Sequence, residues 1–206
     1  MIFRGLPALF LALAIPATAQ SQESCFTELS RIANIQAAPS PQASDNACII
    51  TEPVKLYSTL AVPSVQFPGE PVLDCPFALA LVKFIQERAQ PLAEFHLGSP
   101  LGHIDTGPGF TCRRRYNKPD GKLSEHALGN AIDIAAFGFM DGRNLTVRSS
   151  STMADREAAF FDATRQQSCT YFTTVLGPGS NEAHATHLHF DLGRSKGNSN
   201  PYRICE

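Results

Sequence analysis

Four of the six histidines in this 206-residue chain lie in two short segments that also contain many apolar residues. The first segment reads S-E-H-A-L-G-N-A-I-D over residues 124–133, and the second reads H-A-T-H-L-H over residues 184–189. Imidazole nitrogens and carboxylate oxygens bind zinc in catalytic centres, where three protein ligands leave a fourth position open for water. The two segments therefore predict a metal centre of the hydrolytic type.

The carboxylate in the first segment, Asp133, lies in a strand that we predict over residues 130–139. Isoleucines alternate with Asp133 at a period of two, so its side chain faces away from them. A carboxylate among apolar residues is costly unless it is paired or binds a metal. His126 lies seven residues upstream, and a turn at Gly129 can bring its imidazole back beside the strand. Taken singly, these residues also allow a simpler interpretation as a surface histidine and a hydrogen-bonded core acid.

The second segment continues into a predicted strand with three polar residues on one face. His187, His189 and Asp191 alternate with apolar residues, so their side chains are parallel neighbours. Two histidines at this spacing can chelate a metal, and His184 adds a third imidazole just before the strand. The alternative is a pair of histidines on the sheet surface without a metal. Because both segments are present, the zinc site is the favoured interpretation.

The pattern S-x-H-x-x-G-x-A-x-D followed by H-x-H resembles zinc peptidases, which include D-Ala-D-Ala carboxypeptidases, lysostaphin-type endopeptidases and the hedgehog signalling domain. Together with L-G-P-G-S-N at residues 176–181, it is most similar to the bacterial extensin-like C-terminal domain family, over about residues 45–206. The pattern H-x-x-H-x-H also resembles the penicillin-insensitive murein endopeptidases.

The resemblance implies a role for each of five residues. His126, Asp133 and His189 match the zinc-ligand positions. His187 matches an active-site histidine that is not a ligand and that serves as a base or transition-state stabiliser. His184 matches a further active-site histidine of the murein endopeptidases.

An arginine upstream of the first segment completes the set of candidate catalytic residues. Arg113 follows Cys112 directly, as in the extensin-like pattern. In the related carboxypeptidases an upstream arginine binds a carboxylate or carbonyl of the substrate, and a guanidinium suits either task. We interpret Arg114 and Arg115 as a solvated or salt-bridged loop. Thr186 occupies the position where many D-Ala-D-Ala carboxypeptidases place a glutamate base, so that base is excluded here.

The N-terminus has the pattern of a cleavable signal peptide over residues 1–19. Arg4 precedes an apolar run over residues 6–15, and A-T-A predicts cleavage after Ala19. A bilayer span needs about 20 apolar residues, so we expect no stable membrane anchor. We predict a periplasmic or secreted protein with a lead-in rich in Pro, Ser and Ala over residues 20–48 and a domain over residues 49–206.

Charge and cysteine content also fit an exported protein. The formal net charge is −2 and becomes more negative when Arg4 is removed, which argues against nucleic-acid binding. An even number of cysteines in an exported chain predicts disulfide bonds, although spacing alone does not choose their pairing. The cysteines are Cys25, Cys48, Cys75, Cys112, Cys169 and Cys205.

The remaining patterns predict the elements that must position these residues. A helix begins after Asp74, has Pro76 near its first position, is kinked or ended by Pro91, and cannot continue beyond Gly98. We also expect a strand near residues 101–105, a helix reaching about residue 167 and a strand near residues 171–176. The expected fold is α+β, with helices packed on one side of a small, mainly antiparallel sheet and zinc on the open side.

Taken together, these patterns predict an exported zinc-dependent peptidase that cleaves stem or crosslink amides in peptidoglycan with metal-activated water. The partner would be a peptidoglycan peptide, and the cofactor would be Zn²⁺. The alternative is a non-catalytic cell-wall-binding module that keeps the zinc as a structural ion. The presence of His187 beside the three ligand positions favours the peptidase.

Overall fold

A computed structural model describes residues 24–43, 45–118, 120–193 and 203–206 of the chain. These residues form four α-helices: α1 (Cys25–Ser30), α2 (Cys75–Phe84), α3 (Gln90–Leu97) and α4 (Asp155–Ser168). The same residues form nine strands: β1 (Ala33–Ala37), β2 (Pro53–Thr59), β3 (Val72–Asp74), β4 (Leu101–Thr106), β5 (Ala131–Phe139), β6 (Asn144–Thr146), β7 (Thr174–Leu176), β8 (Leu188–Asp191) and β9 (Ile204–Cys205). The predicted signal peptide lies outside the described residues.

The strands are arranged in a three-stranded group and a six-stranded group. The smaller group has the order β1-β2-β3, and the larger has the order β4-β5-β8-β7-β9, with β6 also paired to β5. All neighbouring strands are antiparallel except β7 and β9, which are parallel. The predicted α+β class with a mainly antiparallel sheet is therefore confirmed.

Strand β8 shows why the alternating sequence produces both a core and a polar face. Leu188 and Phe190 are completely buried, and Phe190 packs against Phe84 of α2 with ring centroids 5.7 Å apart. Phe172 stacks on Phe190 at 4.8 Å. Burying a side chain of this size stabilises the fold by about 1.5–3 kcal/mol. The intervening residues of β8 must then point to the opposite face of the sheet.

The helical segment that follows β3 continues past Pro91, where the sequence predicted a kink or an end. A single π-helical stretch, Ile85–Ala89, separates α2 from α3. Pro91 lies in the first turn of α3, where its missing N–H is tolerated. Gly98 ends α3 in the left-handed region, with φ 68°, as its position in the sequence predicted. Gln90 ties α3 to the next strand by accepting from the Leu101 N–H at 2.7 Å.

Residues 24–37, which the composition assigned to a lead-in, are part of the folded unit. Ser24 caps α1 by accepting from the Thr27 N–H, and Glu28 of α1 pairs with Lys83 of α2 at 2.7 Å. Strand β1 pairs with β2 along its whole length. Lys83 and the residues of β2 lie far along the chain from their partners, so the local composition does not indicate these contacts.

All six cysteines are paired, as predicted. The bonds are Cys25–Cys75, Cys48–Cys112 and Cys169–Cys205. Three disulfide bonds are characteristic of an oxidising, extracellular environment. Within the part of the chain that the structure describes, no helix is both long and apolar enough to cross a membrane.

Candidate metal centre

The structure brings the three predicted ligand side chains together. The Nδ1 atom of His189 lies 2.8 Å from Oδ1 of Asp133 and 3.2 Å from Nε2 of His126. The same His126 nitrogen lies 3.3 Å from Oδ2 of Asp133. One ligand atom from each residue lies within 4.8 Å of the others. Two imidazoles and one carboxylate at these distances fit the donor set of a catalytic zinc site.

Sheet pairing and one turn bring these side chains together. Asp133 of β5 and His189 of β8 are directly opposite each other in the antiparallel ladder, so their side chains share one face. His126 lies in the short 3-10 turn Glu125–Leu128, which ends at Gly129 with φ 64°. A Cβ at Gly129 would lie 2.8 Å from the backbone nitrogen of Asp74. Glycine is therefore required where the chain turns from one ligand toward the next.

Hydrogen bonds fix which nitrogen of each imidazole faces the centre. The Nδ1–H of His126 donates to the Gly109 carbonyl at 2.8 Å, which leaves Nε2 directed at Asp133. The Nε2–H of His189 donates to the Asp191 carboxylate at 3.1 Å, which leaves Nδ1 toward the centre. Metal-binding histidines commonly hold their second N–H in this way. Asp191, which is buried, therefore orients the imidazole of His189.

His187 and His184 lie beside the three candidate ligands. The Nε2 atom of His187 is 3.6 Å from Oδ1 of Asp133. The rings of His184 and His187 have centroids 5.1 Å apart, and the Nδ1–H of His184 donates to Asn181 at 2.7 Å. Burial lowers the pKa of His187 despite the opposing charge of Asp133. Burial, together with the charges of the neighbouring histidines, lowers the pKa of His184 to about 4. Both rings are thus neutral near pH 7 and able to accept a proton.

The four histidines open onto a cavity of about 500 Å³. It is also lined by Asp133, Asp191, Arg113, Arg115, Asn117, Ser124, Glu125, Thr174, Leu176, Ala183 and Ile204. The structure thus places all six predicted site residues at one cavity. Ile204 of the two-residue strand β9 also lines the cavity. The sequence pattern did not predict this residue as part of the site.

Arg113 is the predicted substrate-binding residue, and it lines the cavity. The side chain is half-buried, and among the described residues no carboxylate or carbonyl pairs with it. Its positive charge contributes to the lowered pKa of both His184 and His187. A half-buried cation without a partner is costly, and an anionic or carbonyl ligand would offset that cost.

Comparison with protein families identifies the chain. A model of the family described as Extensin-like protein C-terminus matches residues 23–206. The chain belongs to this extensin-like family. The match includes both histidine segments, all six cysteines and the residues predicted as a lead-in from residue 23 onward. No curated protein and no solved structure matched the chain.

Glu125 is a site residue of this extensin-like protein that the sequence pattern did not reveal. Its carboxylate lines the cavity, and its side chain is only 12 % exposed. It accepts a hydrogen bond from Asn130 at 2.9 Å, and the same amide donates to the Leu192 carbonyl at 2.8 Å. This network ties the turn that carries His126 to the end of β8. Its place between the serine and the first histidine of the motif was the one available signal.

Without a metal, the extensin-like site holds a proton on His189. Burial lowers the pKa of His189, but the hydrogen bonds that His189 donates to Asp133 and Asp191 outweigh burial and raise the pKa to about 9. Burial raises the pKa of Asp133, but hydrogen bonds from His126 and His189 dominate and hold it well below its usual range. A charged His189 therefore bridges two carboxylates, and a metal must displace its Nδ1 proton.

We expect the metal-free protein to lose stability as the pH rises from about 6.5 to about 9. The folded-state pKa of His189 lies above the unfolded value of 6.5. The stabilisation is therefore complete below pH 6.5 and disappears as the pH passes the folded-state value. The loss should be at most about 3.4 kcal/mol, for a shift of about 2.5 pKa units at 1.36 kcal/mol per unit. Urea unfolding of chelator-treated protein at pH 6 and pH 9.5 measures it, and His189→Gln should flatten the dependence. An equally steep fall in that variant would contradict the assignment to His189.

Proposed function

We propose that this extensin-like protein is an exported zinc-dependent peptidase that hydrolyses amide bonds in peptidoglycan peptides. The observation that carries the proposal is the convergence of His126, Asp133 and His189 at a cavity that also holds two neutral histidines. A structural zinc site is usually closed by four protein ligands. Here three ligand side chains face an open cavity, which favours a catalytic centre.

Zinc held at such a centre would lower the pKa of a bound water molecule toward neutrality and would polarise a carbonyl. The protein supplies Nε2 of His126, the carboxylate of Asp133 and Nδ1 of His189 to hold it. The Gly109 carbonyl and the Asp191 carboxylate keep the two imidazoles in the required tautomers. The ligands are thus oriented before any substrate arrives.

His187 is the proposed general base. Its Nε2 lies near the ligand carboxylate, and burial keeps the ring neutral at pH 7. It takes the proton of the attacking water and returns a proton to the nitrogen of the leaving amine. His184 stands next to it, with Nδ1–H held by Asn181 and Nε2 left to meet the substrate or to orient His187.

Arg113 is the proposed substrate-binding residue. A guanidinium can donate two parallel hydrogen bonds to one carboxylate, which gives both energy and orientation. Because no described side chain neutralises Arg113, a carboxylate or carbonyl of the peptide can take that place. The arginine would thus set where the scissile amide lies relative to His187.

Peptidoglycan is the proposed substrate because an exported protein meets its peptides outside the cytoplasm. The three disulfide bonds agree with such a location, and the motif resembles that of peptidases that act on wall peptides. The rival proposal is a wall-binding module in which zinc is only structural. That proposal shares the ligands but gives no role to His187, His184 or Arg113.

The test is incubation of the zinc-loaded mature protein with purified peptidoglycan, followed by mass spectrometry of the released muropeptides. We expect new fragments whose masses match cleavage of a stem or crosslink amide. The chelator-treated protein is the matched control and should release none. Sedimentation of the protein with peptidoglycan without any released fragment would instead support the binding module.

A further inference from the structure

The arginine segment next to the candidate metal centre places two of its three residues at the cavity. Arg114 has an extended backbone, with φ −89° and ψ 158°, so its neighbours in the chain point to the side opposite its own. Arg113 and Arg115 line the cavity. Arg114 instead donates to the Gly121 carbonyl at 3.0 Å and pairs with Asp45 at 3.2 Å.

Backbone hydrogen bonds hold this segment beside the motif that carries His126. The Ser124 N–H donates to the Arg113 carbonyl at 3.1 Å, and the Arg115 N–H donates to the Lys122 carbonyl at 2.8 Å. The preceding residue, Cys112, is tied to a distant loop by its disulfide bond. The backbone that carries the two cavity arginines is therefore held in place beside the turn of His126. Two residues of extended chain span roughly 6.6 Å.

The two guanidinium groups differ in their counterions, and neither is saturated. Arg113 has none among the described residues. Among the described residues, the counterion of Arg115 is Glu125, at 3.5 Å, and the other oxygen of Glu125 accepts from Asn130. A guanidinium carries five N–H donors, so most donors of Arg115 remain available. Its side chain is 49 % exposed, which leaves it accessible to a ligand at the cavity mouth.

We propose that Arg115 is a second anion-binding residue, so that the cavity selects ligands with two carboxylates. One carboxylate binds Arg113, and the other, a few bonds away on the same ligand, binds Arg115. This deepens the proposed function, on which it rests for the identity of the ligand as a peptide substrate. The substrate class is then a peptide that carries an acidic group next to a second carboxylate.

The test compares two small probes that differ by one charge, N-acetyl-glutamate and N-acetyl-glutamine, in both enantiomers. Their dissociation constants are measured by NMR titration at low salt. The wild-type protein should bind the glutamate derivative about three- to fivefold more tightly, which is the effect of one partly exposed ion pair. Arg115→Gln should remove this preference and leave the affinity for N-acetyl-glutamine unchanged. Arg113→Gln should weaken the binding of both probes.

Arg114→Gln is the matched control, because it removes the same charge from the same segment but outside the cavity. It should retain the preference, and Arg115→Lys should retain part of it. Equal affinities in the wild type, or an equal loss in Arg114→Gln and Arg115→Gln, would overturn the proposal. The titrations are made with both the metal-free and the zinc-loaded protein, so that binding of the probes is measured independently of peptidoglycan hydrolysis. A preserved preference without cleavage of peptidoglycan contradicts the peptidase and leaves the anion site standing.

Discussion

His187→Ala should lower the rate of peptidoglycan hydrolysis about 10²–10⁴-fold, the usual contribution of a positioned general base, while zinc content and fold are retained. The side chain is outside the three-ligand set, with its nearest ring nitrogen 3.6 Å from the ligand carboxylate. Its removal therefore takes away the proton acceptor without opening the metal centre. The measurements are the initial rate of muropeptide release, zinc content by elemental analysis and melting temperature.

His96→Ala is the control for this experiment, because His96 lies on α3 and does not line the cavity. It should keep the wild-type rate. If His187→Ala loses as much zinc as a ligand variant, then His187 is itself a ligand and the assigned mechanism is wrong. If it keeps the wild-type rate, the base lies elsewhere, and His184→Ala becomes the next variant to measure.

His189→Ala should abolish zinc binding and hydrolysis together. It removes a ligand atom that lies next to both other ligands. A metal that binds only the folded state stabilises it by about 4 kcal/mol when the free metal is present at about 1,000 times its dissociation constant. The variant should lose this zinc-dependent stabilisation. His126→Ala should behave in the same way, because both residues belong to one ligand set.

The measurement is the zinc content after dialysis and the shift in melting temperature when zinc is added. His189→Ala also removes the cation that bridges Asp133 and Asp191 in the metal-free protein, so its melting temperature changes even without zinc. The shift on addition of zinc isolates the effect of the metal. The wild type and His96→Ala should both show a large shift. Equal zinc content in the wild type and His189→Ala, or no zinc in the wild type, would contradict the proposed ligand set.

The candidate ligand pair on the sheet could be predicted because strands impose a period of two. The sequence placed a strand over residues 130–139, and β5 spans Ala131–Phe139. The polar residues of β8 likewise share a face because Leu188 and Phe190 must point into the core. Local alternation alone thus determines on which face of its strand each ligand lies.

Contacts between distant parts of the chain could not be predicted in this way. Glu125 is a cavity residue because Asn130 and Arg115 meet it, and no periodicity signals that meeting. The sequence left the pairing of the cysteines undetermined for the same reason, since spacing does not reveal which thiols meet in space. The helix and strand within residues 24–37 depend on partners in α2 and β2. In each case, tertiary packing decided what composition left undetermined.

The short strand β9 has a consequence for when the cavity becomes complete during biosynthesis. Ile204 lines the cavity, and the neighbouring Cys205 anchors the strand to Cys169 at the end of α4. In the reducing cytoplasm this bond does not persist, and a strand of two residues would have to hold the wall by backbone pairing alone. If the protein is exported, as proposed, the bond that secures this wall forms only after translocation, when Cys205 is oxidised. Completion of the cavity would then depend on an oxidising environment, and a newly made chain in the reducing cytoplasm would have a less firmly held wall.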